Sequence, residues 1–176
     1  MSYFKDIPSE EINLLISLPY RVGIWISDAD DLEKTQRDDR KEAVALDRVI
    51  KNVAGQKSFA GAIMAEIDHN RLSWGDWKKL ANENNIIEDV VRAKKVVSQH
   101  LSKKEWTLYC KLLWHVGVVI AQAFGEDKDP DQEMHVNNFF EDVISAVFSS
   151  RLGKTPDNVS AEEKRTLKKL RAALKS

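Results

Sequence analysis

The residues best suited to chemistry are carboxylates gathered in two short stretches. Residues 28–42 contain Asp28, Asp30, Asp31, Glu33, Asp38, Asp39 and Glu42, partly offset by Lys34, Arg37, Arg40 and Lys41. Residues 125–142 contain Glu126, Asp127, Asp129, Asp131, Glu133, Glu141 and Asp142 against Lys128 alone. Hard cations need convergent oxygen ligands, so calcium or magnesium is the cofactor such clusters would suit. Asp127-x-Asp129-x-Asp131 opens like an EF-hand loop. However, Pro130 stands at its fourth position, Gln132 replaces the turn glycine, and Asn138 stands where a bidentate glutamate belongs. A standard EF-hand is therefore excluded. The same carboxylates also suit helix caps and the positive ends of helix dipoles. Thr35 and Asp129, at matching positions of the two stretches, fit that second role.

Other constellations are weaker. Glu66-x-x-His69 is half of a di-iron bundle signature, but such a site needs a second Glu-x-x-His and two further inward glutamates. None exists, and His135 follows Glu133 at the wrong spacing. The four histidines, 69, 100, 115 and 135, make no zinc pattern, and the one cysteine, Cys110, does not complete one. There is no nucleophile elbow, no phosphate-binding Gly-x-x-x-x-Gly-Lys loop and no Gly-x-Gly-x-x-Gly. Ordinary acyl or phosphoryl transfer is not expected, and no catalytic residue is assigned. A basic segment, residues 160–175, could touch phosphates or a partner through Lys164, Lys168 and Arg171, but it has no aromatic residues for stacking.

What must position these groups is a duplicated design. Residues 7–54 align without a gap to 101–148 at a constant offset. Glu11/Glu105, Leu14/Leu108, Leu18/Leu112, Val22/Val116, Gly23/Gly117, Ile26/Ile120, Val49/Val143, Ile50/Ile144 and Val53/Val147 are among the identical pairs. Tyr20/Trp114, Leu46/Phe140 and Asp47/Glu141 are conservative, and His115 stands opposite Arg21. The matches keep helical register, which predicts two copies of helix, acidic junction, helix.

Along the chain, Ser9 is the expected cap of a first helix bearing Ile12, Leu15, Ile16, Val22 and Ile26. Pro19 should kink or break it, whereas the second copy has Leu113 there. A second helix starts near Thr35, carries Leu46, Val49, Ile50 and Val53, and should end at a left-handed Gly55. The connecting segment, 55–100, reads as a short helix through Phe59, Ile63 and Ile67, a helix capped by Ser73 with Trp74 and Trp77, and an amphipathic helix bearing Ile86, Ile87, Val90, Val91 and Val97. The two tryptophans are expected as core or lid residues, with an interface anchor as the alternative. The second copy then runs through a very apolar, central helix and a partner helix with Phe139, Phe140, Val143, Ile144, Val147 and Phe148, with Pro130 at its first position. After a linker at 151–159, Ser160 and Glu163 form a capping box for the last helix, expected to be an ordinary amphipathic helix packed through Leu167, Leu170 and Leu174, whose basic face could also meet an acidic junction within the chain or in a neighbour.

The expected fold is therefore all-α: a single domain over 1–176 of about eight helices, with two pseudo-twofold-related helical hairpins. Net charge of −1 gives no general attraction to nucleic acid or anionic membrane. One cysteine allows no internal disulfide and fits a reducing compartment. The first residues lack the apolar stretch of a signal peptide, and the longest apolar run, 116–121, is too short to span a bilayer. These features suggest a cytoplasmic protein without a transmembrane segment.

Each copy carries a long apolar helix, a corner and a second amphipathic helix. With Ala29-Asp30-Asp31 and the later Glu42 in the first, and Ala123-Phe124-Gly125 and Glu133 in the second, the chain resembles the TerB-like (tellurite-resistance protein B) family. That family's mark is an Ala-Asp-Gly turn followed by acidic residues and a glutamate on the next helix; each copy here keeps part of it. The resemblance implies an all-α domain with two related hairpins, and a role in stress and tellurite resistance through binding metal ions and partner proteins near membranes. Asp30, Asp31 and Glu42 carry over best; Asp28 joins them from its place one turn earlier. The leading expectation is a non-enzymatic interaction protein that binds a divalent cation or a basic partner, another protein or a second copy of itself, through its acidic junctions. The alternatives are a carboxylate-based or metal-assisted hydrolase, with a pocket around Asp30, Glu42 or Glu66/His69, and a nucleic-acid-associated module acting through the last helix.

Overall fold

A computed structural model describes residues 3–30, 36–122 and 159–176, including side chains other than those of residues 30 and 36–42. Seven α-helices lie among the described residues, and no strand does: α1 Ser9–Ser27, α2 Gln36–Ala54, α3 Phe59–His69, α4 Trp74–Lys79, α5 Glu83–His100, α6 Lys103–Gln122 and α7 Ala161–Lys175. Short 3-10 turns at Asp28–Asp30 and Arg71–Ser73 follow α1 and precede α4. The chain is an all-α single domain. The eighth expected helix, at 130–148, and the linker before α7 lie outside the described residues.

The core is built on α1 and α6, the first helices of the two sequence copies. Nearly every residue from Leu14 to Ile26 and from Tyr109 to Ala121 is buried. Their contacts pair near-equivalent positions. The Tyr109 hydroxyl donates to the Leu15 carbonyl, 94 residues away. A Cβ on Gly23 would stand 3.3 Å from Val116, and one on Gly117 would stand 3.5 Å from Ile26. An offset that hardly changes along the interface means that the two helices run side by side in the same direction. The two glycines let neighbouring chains approach. At Gly23 the closest atom to an added Cβ belongs to Leu46 of α2, at 3.0 Å; at Gly117 the closest atoms belong to Leu167 and Leu170 of α7, both at 3.2 Å.

Pro19 does not interrupt α1, which runs from Ser9 to Ser27 through it. Proline lacks the N–H that would bond the carbonyl four residues back, here Leu15. The buried Tyr109 hydroxyl supplies the missing donor to that carbonyl at 2.7 Å. The second copy has leucine at the proline position, and tyrosine at the position of Leu15. One copy lost a donor and the other provides one. Burial raises the Tyr109 hydroxyl well above its ordinary range, which keeps it a neutral donor.

Several local expectations are corrected. Pro8, not Ser9, occupies the cap position of α1, and no side chain caps that end. Gly55 follows α2, but no glycine among the described residues has positive φ. The helix instead leads into a turn in which Gln56 N–H donates to the Val53 carbonyl. Ser73 makes no capping hydrogen bond, and Asp76 pairs with Lys79 instead. Val91, placed on the inner stripe of α5, is 55% exposed, because α5 begins at Glu83 under an Asn82 cap and turns Ile86, Val90, Ala93 and Val97 inward. The capping box of α7 is present in full. Its Leu167, Leu170 and Leu174 are buried, each stabilising the docked helix by roughly 1.5–3 kcal/mol.

Candidate functional site

The first acidic junction begins where α1 ends. Asp28 caps that end through its backbone N–H, donated to the Ile24 and Ile26 carbonyls, and its side chain is exposed. With Ala29 and Asp30 it forms the 3-10 turn. The turn packs against α7, so the start of the first acidic corner and the terminal helix are neighbours. Burial raises the Tyr20 hydroxyl above its usual range, and the Asp28 carboxylate adds to the shift. The side chains of Asp30 and Glu42, and residues Asp31, Asp127, Asp129, Asp131 and Glu133 entirely, lie outside what is described. Among the described residues no group of three or more His, Cys, Asp or Glu side chains could hold a metal ion.

The three basic residues singled out on α7 differ in setting. Lys168 is exposed and Lys164 is half-buried. The Arg171 guanidinium lies over the Trp114 ring, 5.4 Å from its centroid, on the wall of α6. Of the others, Lys169 pairs with Glu83 of α5 at 2.6 Å and Arg165 with Glu162 at 3.0 Å. Arg171 and Lys169 thus tie α7 to α6 and α5, whereas the Arg165 pair lies within α7 itself. At its far end, Lys94 of α5 donates to the Ser176 carbonyl at 2.8 Å.

Glu66 and His69 stand in the last turn of α3, with His69 exposed. His115 is buried on α6. Cys110 is buried beneath the end of α7, its thiol 3.9 Å from the Leu174 carbonyl, and burial pushes it up to about 12. Burial thus disfavours the thiolate, the form in which cysteine acts as a nucleophile.

Sequence reading missed a buried charged cluster. Arg21 of α1, with a side chain only 3% exposed, pairs with Asp89 of α5 at 2.8 Å and donates to the Leu80 carbonyl at 3.2 Å. Asp89 also pairs with Arg92 at 2.9 Å. Arg21 Nε is buried without a hydrogen-bond partner. Beside it on α1, Tyr20 packs on Trp74 and Trp77, with ring centroids 4.7 and 5.9 Å away. Arg71 lies over the Trp74 ring, 4.7 Å from its centroid. Trp77 is buried and Trp74 half-buried, as expected of core residues. Together these contacts clamp the α4–α5 corner onto α1. The only signal in the sequence was an arginine and an aspartate each set inside an apolar stripe, Arg21 before Val22 and Asp89 before Val90.

No helix among the described residues is long and apolar enough to cross a membrane. Comparison of the chain with family models, with curated proteins and with solved structures gives no significant match.

Proposed function

We propose that this chain is a non-catalytic interaction protein of TerB-like type whose acidic corners bind a basic segment of a partner protein or a divalent cation. The observation that carries the reading is the placement of the Asp28–Asp30 turn against α7: an acidic corner at the end of a core helix, beside the most basic helix of the chain. A turn that accommodates a basic helix in its own chain has the charge to attract another. Asp28 presents an exposed carboxylate there. Asp30, Asp31 and Glu42 follow it in sequence, and Asp127, Asp129, Asp131 and Glu133 repeat the acidic pattern in the second copy. The Ala29-Asp30-Asp31 corner is the part of the resemblance that this reading uses, and stress response in the cytoplasm is the setting it suggests.

The test is calorimetric titration of the full chain with a lysine-rich peptide and, separately, with calcium, magnesium, manganese and zinc chlorides. The variant for comparison carries Asp28→Asn, Asp30→Asn and Asp31→Asn. The expected result is salt-sensitive peptide binding weakened about tenfold in the variant, since close charge pairs set such recognition. Heat with a cation that disappears in the variant supports the cation form. Equal behaviour of the two proteins toward peptide and every cation overturns the proposal.

A further inference from the structure

Ahead of α1 the chain forms a short arm. Residues 3–6 make a turn, and the Ile7 N–H donates to the Phe4 carbonyl at 3.2 Å. Ile7 is buried, and Tyr3 and Phe4 are half-buried against the core. Both rings converge on one partner, Phe59 at the start of α3. The Tyr3 centroid lies 5.6 Å from it and the Phe4 centroid 6.3 Å, tilted by 59° and 52°. Phe59 is fully buried, and its ring meets Tyr109 of α6 at 5.9 Å. The arm therefore sits on an aromatic seat shared by α3 and α6.

Apolar contact alone holds it there. No hydrogen bond or ion pair joins residues 3–7 to the rest of the described chain. The link to α1 is equally bare. Pro8 stands at the helix start with φ −56° and ψ 145°, and no side chain caps that end. The proline ring fixes φ, and a residue before proline is held extended, so the arm joins α1 through a short extended hinge rather than a helical turn. One chain thus contains a seat and a ligand that fits it: an adjacent aromatic pair, with an aliphatic residue three positions after the second ring. A second copy brings the same ligand.

We propose that the Phe59 seat is a self-association site, in which the arm of one copy fills the seat of a second and the exchange is reciprocal. Two swapped arms make a closed twofold pair that keeps the apolar contacts each arm makes in the monomer. A short tether holds an arm near its own seat at an effective concentration in the millimolar range, so exchange sets in as the chain approaches about 1 mM. Once one arm has crossed, the second crosses within the pair. The seat lies at the opposite end of α1 from the acidic corner, so this proposal does not rest on the function proposed above.

The test uses the full chain without cation or basic peptide. Isotope-labelled and unlabelled parent are mixed at about 1 mM. The expected result is a concentration-dependent dimer by sedimentation and, within it, nuclear Overhauser contacts from Tyr3 and Phe4 of one copy to Phe59 of the other. The variant Tyr3→Ser with Phe4→Ser vacates the seat. It should stay monomeric at the same concentration. It should also bind the hexapeptide Tyr-Phe-Lys-Asp-Ile-Pro, which copies residues 3–8, at least about tenfold more tightly than the parent, whose own arm competes. The hexapeptide with serine for both aromatic residues should not bind. A parent that stays monomeric, or a dimer without contact between an arm and the other copy's Phe59, overturns the proposal. So does a folded variant that dimerises like the parent or ignores the hexapeptide. If the variant fails to fold, the contacts between copies of the parent decide alone.

Discussion

Helices α1 and α6 share a sequence pattern and the core, yet they solve different problems. The first copy carries Pro19 and Arg21, and the second has Leu113 and His115 at those places. Each departure in α1 is compensated from outside its own copy. The carbonyl freed by Pro19 is satisfied by Tyr109 of α6. The buried charge of Arg21 is met by Asp89 of α5, in the connecting segment that has no counterpart later in the chain. A duplicated helix can therefore hold a proline and a buried arginine once its neighbours differ. The two helices differ in their polar groups, while the apolar pairs Val22/Val116, Gly23/Gly117 and Ile26/Ile120 are the same.

The largest break in this comparison comes from the buried charges. Asp89→Ala leaves Arg21 with a 3% exposed side chain and no carboxylate, and should destabilise the fold by about 3–5 kcal/mol, the usual cost of an unmatched buried charge. Arg21→Met should cost less, because Asp89 keeps Arg92 and methionine fills similar space. The double variant should recover part of the Asp89→Ala loss. Urea unfolding of the three chains checks the order; equal costs for the two single variants would show that the pair is not the asymmetric unit described.

The next effect is on the proline. Tyr109→Phe removes the donor to the Leu15 carbonyl and should cost about 1–3 kcal/mol, the price of leaving a buried acceptor unsatisfied. In a Pro19→Ala background the restored N–H takes that carbonyl, so the same tyrosine change should cost clearly less. A double-mutant cycle measured by thermal or urea unfolding gives the coupling directly. Purely additive costs would mean that Tyr109 acts only by packing.

Much of this architecture was legible from residues alone. The periodic apolar matches marked α1 and the start of α6, and the Ser160/Glu163 pair marked the start of α7. What stayed hidden depended on contacts distant in sequence. Pro19 read as a kink or break because the hydroxyl that serves the freed carbonyl lies in the other copy. Arg21 read as one more helix residue because Asp89 is far along the chain. The role of α7 on Gly117 was hidden for a third reason: leucines at helical spacing say that a face is buried, not against which groove. For the candidate site, charge alone allowed the basic helix to meet an acidic corner within the chain or in a neighbour, and the commitment of Arg171 to Trp114 was not legible at all, since cation–π stacking leaves no local spacing signature.

The smallest effect sharpens how the first copy is tied to its connecting segment. Asp47 of α2 corresponds to Glu141, but its partners are Lys51 on the same helix and Arg71 beyond α3. Arg71 also pairs with Asp68. Burial alone would raise the Asp47 carboxyl; the hydrogen bonds from Lys51 and Arg71 outweigh it and hold the group below its ordinary value. A carboxylate held low in the folded chain stabilises it above the unfolded-state value, near 3.8, and that contribution disappears as pH falls through the lower folded-state value. Asp47→Asn should therefore lower the melting temperature slightly at pH 7 and by a smaller amount at pH 3. The site is largely exposed, so solvent and salt reduce the difference, which should shrink further at high ionic strength. Arg71→Ala should show the same pH trend and also loosen the cover over Trp74, which tryptophan fluorescence would report. A melting-temperature difference that stays constant from pH 7 to pH 3 would mean that Asp47 contributes through its shape on α2 and not through its charge.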